Sequence, residues 1–248
     1  ASRFQPPQKG RKGIMRYLAL DLGSSWTKTA LLEDGNVLQE RSVPTPMPKD
    51  TTGLRFEIDA EAYFRQVQTA LEYYLPQKPG ALLLSTQMHG CVLTDAAFQP
   101  LTPYISWRDG MGQNRLEDIC TLVGKDATAP SGVPLKGNLA LCALLSRRMS
   151  GDALPVRARF CTLGGYVIGR LTGEHVCHMT NAAPTGLVDV QNKRWNQPLL
   201  LRAGLDGWQY PRLIHDLSPV GEWRDALVYA DLGDQQVCAA GAGLKPEQ

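Results

Sequence analysis

No apolar run in the sequence approaches the roughly 20 residues that a membrane-crossing helix requires, so a spanning segment is not expected. Low-complexity tracts, internal repeats and linker-like stretches are also lacking. Their absence argues against repeat arrays and leaves one domain as the simpler count. The six cysteines, Cys91, Cys120, Cys142, Cys161, Cys177 and Cys238, include no C-x-x-C pair. Apart from the adjacent Cys177 and His178, none has a histidine at zinc-ligand spacing. Reduced, mostly buried thiols and a cytoplasmic location are therefore expected. Neither sign of charge is in excess, since 26 basic and 24 acidic residues leave a net +2. The basic residues are scattered, with Lys9, Arg11 and Lys12 the longest cluster. Nucleic acid and anionic membranes are not expected partners. The opening "ASRFQPPQKGRKGI" has no apolar core of a signal peptide, and residues 1–14 read as a leader or expression remnant before a native start at Met15.

What is present fits a globular α/β chain: 43% hydrophobic and 20% charged residues, and a length sufficient for a sizeable core. "RYLALDLGSSWTKTALLEDGNVLQERSVP" predicts three extended runs, separated by a Gly-Ser-Ser turn and by Asp34-Gly35, a hairpin signal. From Asp59, a plausible N-cap, the period becomes helical, with Tyr63, Val67, Ala70, Leu71 and Tyr74 on one face and a stop before Pro76. "ALLLS" predicts a strand buried on both faces, and "CVLTD" and "YISW" two further strands. Helices are expected over 109–123, 138–149, 162–171 with Thr162 as cap, and 197–203.

Four stretches carry candidate chemistry. In "DLGSSWTK", Gly23 lets the backbone approach an anion, Ser24 and Ser25 offer hydroxyls, Lys28 adds charge, and Asp21 can hold a hydrated magnesium. The same residues also suit an ordinary Gly-Ser turn with a surface lysine. "QMHG" follows a buried strand, where side chains line the crevice of an α/β sheet, so Gln87 and His89 can bind a polyol or simply satisfy a loop. "ISWRDG" sets Trp107, Arg108 and Asp109 in succession, a stacking surface and polar groups for a sugar, or a core tryptophan before a helix cap. In "GDQQVCAAGAG", Asp234 precedes a run of small residues that lets another backbone or a ligand come close, or it is a plain N-cap.

In this order, with "TLGGYVIGRLTGEHV" and "TNAAPTGLVDVQNKRWN" between, the stretches resemble the FGGY family of carbohydrate kinases, most closely its xylulokinase-like members. The resemblance covers nearly the whole chain from Met15. It implies an actin-like, ribonuclease-H-like α/β domain with a mixed five-stranded sheet flanked by helices. It also implies that residues 15–248 are the N-terminal, sugar-binding domain, with the nucleotide-binding C-terminal domain absent. The implied activity is transfer of the γ-phosphate of ATP to a hydroxyl of a xylulose-like ketose or a polyol, with Mg2+. Asp234 is the implied base; Asp21, Gly23, Ser24, Ser25 and Lys28 face the triphosphate, with Asp21 toward the metal. Gln87, Met88, His89, Trp107, Asp109 and Gln235 form the implied sugar pocket. A non-catalytic sugar-sensing domain and an actin or chaperone-type ATPase lobe are the alternatives, the latter having no need of "QMHG" and "SWRD". The oligomeric state carries no signature here, a homodimer being one option.

Overall fold

In the computed structural model, which describes residues 15–50 and 53–244, side-chain alternation gives the first strands one dry face and one more open face. The leader expected at residues 1–14 lies outside the described residues. β1 (Arg16–Leu22) buries Leu18, Leu20 and Leu22 and turns Tyr17, Ala19 and Asp21 the other way, the period of two that a strand imposes. β2 (Trp26–Glu33) and β3 (Asn36–Pro44) continue it as an antiparallel meander. Asp34 and Gly35 join them with φ of 50° and 78°, the positive pair that matches the twist of a hairpin.

After β4 (Glu57–Ile58), α1 (Ala60–Glu72) is capped by Asp59, whose Oδ1 accepts from the Ala62 N–H at 2.9 Å. α1 lays Tyr63, Phe64, Val67 and Leu71 on the dry face and ends before Pro76 as expected. β5 (Ala81–Thr86) then runs parallel to β1 and adds Leu82 and Leu84 to the same core.

The next strands leave the main sheet. β6 (Val92–Thr94) pairs with β8 (Arg159–Cys161), and β7 (Tyr104–Ile105) pairs with β4. The helix expected over 109–123 is two helices, α2 (Met111–Asn114) and α3 (Leu116–Val123), which meet at Arg115 with φ −114° and ψ 15°. Packing is close at Gly112, where an added Cβ would lie 2.8 Å from that of Cys142. Cys142 sits in α4 (Ala140–Met149), which begins two residues later than the expected Asn138. Thr162 caps α5 (Leu163–Thr172), its Oγ1 accepting from the Gly165 N–H at 3.2 Å. β9 (Val176–His178) leads into α6 (Met179–Ala182), and β10 (Val188–Asp189) pairs with β11 (Arg194–Trp195). α7 (Gln197–Ala203) spans the expected residues. β12 (Arg212–Ile214) returns beside β9, and a second core forms around Phe160, Trp195 and Tyr210.

β13 (Pro219–Trp223), β14 (Ala226–Tyr229) and β15 (Leu232–Gly233) complete the main sheet, followed by α8 (Asp234–Gly241). The sheet is mixed and ordered β13-β14-β5-β1-β2-β3, with β15 also on β5. It therefore has seven strands where the family resemblance implies five. The difference is local: β14 and β15 share one position beside β5, and β13 adds an edge. Between the pairs Val228↔Leu82 and Leu232↔Ser85, one chain advances four residues (228 to 232) and the other three (82 to 85). The extra residue makes a bulge, which interrupts the ladder and re-aims side chains. All six cysteines are free, and no helix among the described residues is long and apolar enough to cross a membrane.

Candidate active site

Three parallel strands of the main sheet bring their C-terminal ends to one edge, as ligand sites of α/β sheets require. Register aligns Asp21 with Ser85 and Leu232, and Leu22 with Thr86 and Gly233. One step further, β5 passes into Gln87, Met88 and His89, and β15 into Asp234. Burial pushes the Asp234 carboxyl above its ordinary pKa, and the nearby charge of Asp21 pushes the same way. Opposing this, the Gln235 N–H donates to Asp234 Oδ1 at 2.8 Å and His89 lies close enough to favour the anion. Asp21, His89 and Asp234 thus form one electrostatic cluster, although they are 213 positions apart at the extremes (234 minus 21).

His89 has a φ of 69°, a left-handed conformation uncommon for a residue with a side chain. Its Nδ1 lies 2.9 Å from the Pro184 carbonyl oxygen. A carbonyl only accepts, so Nδ1 carries the proton, and in the neutral ring Nε2 is an acceptor for a hydroxyl. Burial lowers the His89 pKa, which favours that neutral ring.

The turn between β1 and β2 is closed by the Gly23 N–H donating to the Trp26 carbonyl at 3.1 Å. A Cβ on Gly23 would lie 2.9 Å from that same oxygen, so a side chain does not fit. The Gly23 carbonyl accepts from Thr45 Oγ1 at 2.8 Å and from Gln87 Nε2 at 3.4 Å. Ser24 Oγ accepts from the Trp107 indole N–H at 3.1 Å. Because indole only donates, the Ser24 hydroxyl keeps its own proton for another acceptor. Ser25 and Lys28 are exposed beside it, Lys28 directly across the ladder from Asp21.

The other residues singled out in the sequence differ in their exposure. Gln87 is 3% exposed and reaches back to Gly23 and to Tyr63 Oη at 3.5 Å, while its Oε1 is buried without a partner in the described residues. Met88, 6% exposed, packs on Gly233. Asp109 is turned inward: Arg147 donates to both its oxygens, at 3.1 and 2.6 Å, and the Phe56 and Met111 amides donate to them as well. Its carboxylate stabilises the base of the Trp107 loop, leaving the 39% exposed indole as that loop's face toward solvent. Gln235 is exposed on the first turn of α8. The described residues contain no cluster of three or more metal-ligating side chains. A lone carboxylate such as Asp21 suits magnesium, which keeps most of its water and takes phosphate oxygens as ligands.

Sequence reasoning missed several supporting groups: Thr45, Tyr63, Arg147, Thr180, Asn181 and Asp231. Asp231 carried a usable signal, a carboxylate inside the apolar run "ALVYADLG".

The comparisons with known proteins agree in kind. The family model described as the FGGY family of carbohydrate kinases, N-terminal domain, matches residues 16–243. Xylulose kinase of Escherichia coli is 28% identical over 92% of this chain and 50% of its own length. A gluconokinase of Bacillus subtilis is 25% identical over 79% of the chain and 40% of its own. The ligand-bound xylulose kinase of Lactobacillus acidophilus superposes with a TM-score of 0.82 at 20% identity, covering 93% of this chain and 50% of that one. The chain spans about half the length of the relatives it matches.

Proposed function

The chain belongs to the FGGY family of carbohydrate kinases, matching its N-terminal domain, and from that premise we propose that it is the sugar-binding half of an ATP-dependent kinase acting on a xylulose-like ketose or a polyol. The observation that carries this reading is the convergence of Asp21, His89 and Asp234 at the ends of three parallel strands. A second, nucleotide-binding domain closes the cleft, as the doubled length of the relatives suggests.

The acceptor sugar lies between the His89 loop and the Trp107 ring. His89 Nε2 accepts from one hydroxyl while the indole face covers the C–H side of the carbon chain. The hydroxyl to be phosphorylated points at Asp234. As its oxygen bonds to the γ-phosphorus and the bond to the ADP oxygen breaks, its proton passes to the Asp234 carboxylate. A base with a raised pKa holds that proton better, provided it is ionised at the working pH. Ser24, Ser25 and Lys28 orient the phosphates, and Asp21 would hold magnesium through water; the metal supplies charge neutralisation on the transferred group.

Asp234→Asn in the full-length enzyme tests the base. Turnover should fall by at least ~100-fold with sugar affinity nearly kept. Near-normal turnover would reduce Asp234 to a helix cap and remove the reading.

A further inference from the structure

Asp234 stands on short support. β15 is two residues long, and Gly233, the N-cap of α8, receives no side-chain cap. What holds the carboxylate must come from elsewhere, and α6 supplies it. Thr180 Oγ1 accepts from the Gly233 N–H at 2.9 Å, on the residue immediately before Asp234. The Thr180 hydroxyl and amide both approach His178 Nδ1, at 2.9 and 3.2 Å. Nδ1 is therefore the acceptor, and the hydroxyl is fixed with its proton toward His178 and its lone pair toward Gly233. On the far side of Gly233 lies Met88, whose Sδ would be 2.6 Å from any added Cβ. Gly233 is gripped between α6 and the loop after β5.

Asn181, the next residue, grips the strand upstream. Its Nδ2 donates to the Asp231 carbonyl at 3.1 Å and to Asp231 Oδ2 at 2.9 Å, and also lies 3.0 Å from Thr86 Oγ1. Asp231 is the fully buried residue at the end of the bulge, with Oδ1 accepting from the His178 N–H and Oδ2 from Thr162. Thr86 ends the strand that turns into Gln87, Met88 and His89. Two residues beyond α6, the Pro184 carbonyl accepts the hydrogen bond from His89 Nδ1–H. One short segment, residues 178–184, thus touches both the loop facing the sugar and the strand carrying the carboxylate.

We propose that Thr180 and Asn181 are positioning residues that hold the Asp234 carboxylate in register with the His89 loop, an inference resting on the phosphotransfer reading above. Neither touches substrate. Their effect is on the transition state, since a base displaced by a fraction of an ångström still lets the sugar bind but accepts the proton poorly.

The test uses Thr180→Val, which keeps the branched shape and removes the acceptor, beside Thr180→Ser, which keeps the acceptor. In the full-length kinase assayed with xylulose, kcat per titrated sugar site should fall ~10- to 100-fold in the valine variant, with sugar KM within about threefold. Serine should restore kcat to within about threefold, and Asn181→Ala should lower it as valine does. Amide exchange at Gly233, measured on the present chain, should quicken with valine and recover with serine. If valine prevents folding, Thr180→Ala is read by the same criteria. A kcat within about twofold of wild type in the valine variant, with Asp234→Asn inactive, would overturn the positioning role and leave the base intact. An active Asp234→Asn would overturn both.

Discussion

Arg147→Met would leave the Asp109 carboxylate in the interior without its cation. The arginine side chain is 2% exposed and that of Asp109 1%. Arg147 donates to Asp109 at 3.1 and 2.6 Å and to Glu57 at 2.9 and 2.7 Å. Glu57 is a quarter exposed and can turn to water, so its share of the loss is at most about 1 kcal/mol. Asp109 has no such exit. Removing one partner of a buried pair costs about 3–5 kcal/mol, a third or more of the stability of many domains. With a urea m-value of about 2–3 kcal/mol/M, the unfolding midpoint should drop by roughly 1–2.5 M. The Arg147→Met/Asp109→Asn double variant removes the stranded charge and should recover most of the loss, because the cost lies in the unpaired carboxylate. Equilibrium urea unfolding of the chain and its variants measures this. A loss under about 1 kcal/mol in the single variant would refute the reasoning, as would a double variant no better than the single one.

With Asp234 as the proposed base, acting only as the anion, the pH profile of kcat should have an acid limb shifted up from the ordinary aspartate value, because burial raises its pKa; a limb at or below about pH 4 would contradict it. Asp231 offers a stability test of opposite purpose. Burial pushes its pKa up to about 7. Between about pH 4 and that value the folded state holds a proton that the unfolded state has lost. This group's contribution therefore falls as pH rises, by up to about 1.4 kcal/mol per unit, and levels off above its folded pKa. Unfolding free energies of wild type minus Asp231→Asn should show that slope; a flat difference across the window would refute it.

Local chemistry made much of the fold legible. Asp34-Gly35, the Asp59 and Thr162 caps and the helix over 197–203 need only their own neighbours in the chain, and each forms where those neighbours direct it. The turn at Gly23 is legible for the same reason. What failed to show was side-chain direction set by distant partners. Asp109 reads as a sugar ligand beside Trp107 and Arg108, yet Arg147, 38 positions on, draws it into the core. Gln87 is drawn inward by Tyr63 and Gly23. No local signal announces the bulge that divides β14 from β15, since an extra residue in a strand is defined only against its partner.

That shared position beside β5 also bears on the order of assembly. The meander closes through a two-residue turn, whereas Leu232 must find Ser85 across 147 positions (232 minus 85). Closing so wide a loop costs more entropy than closing a hairpin, and non-local strand pairings form slowly. The strand bearing Asp21 and the turn bearing Ser24 can therefore be in place while Asp234 is still searching. The proposed proton acceptor is then among the last groups to arrive, and its strand docks onto contacts that residues 178–184 supply.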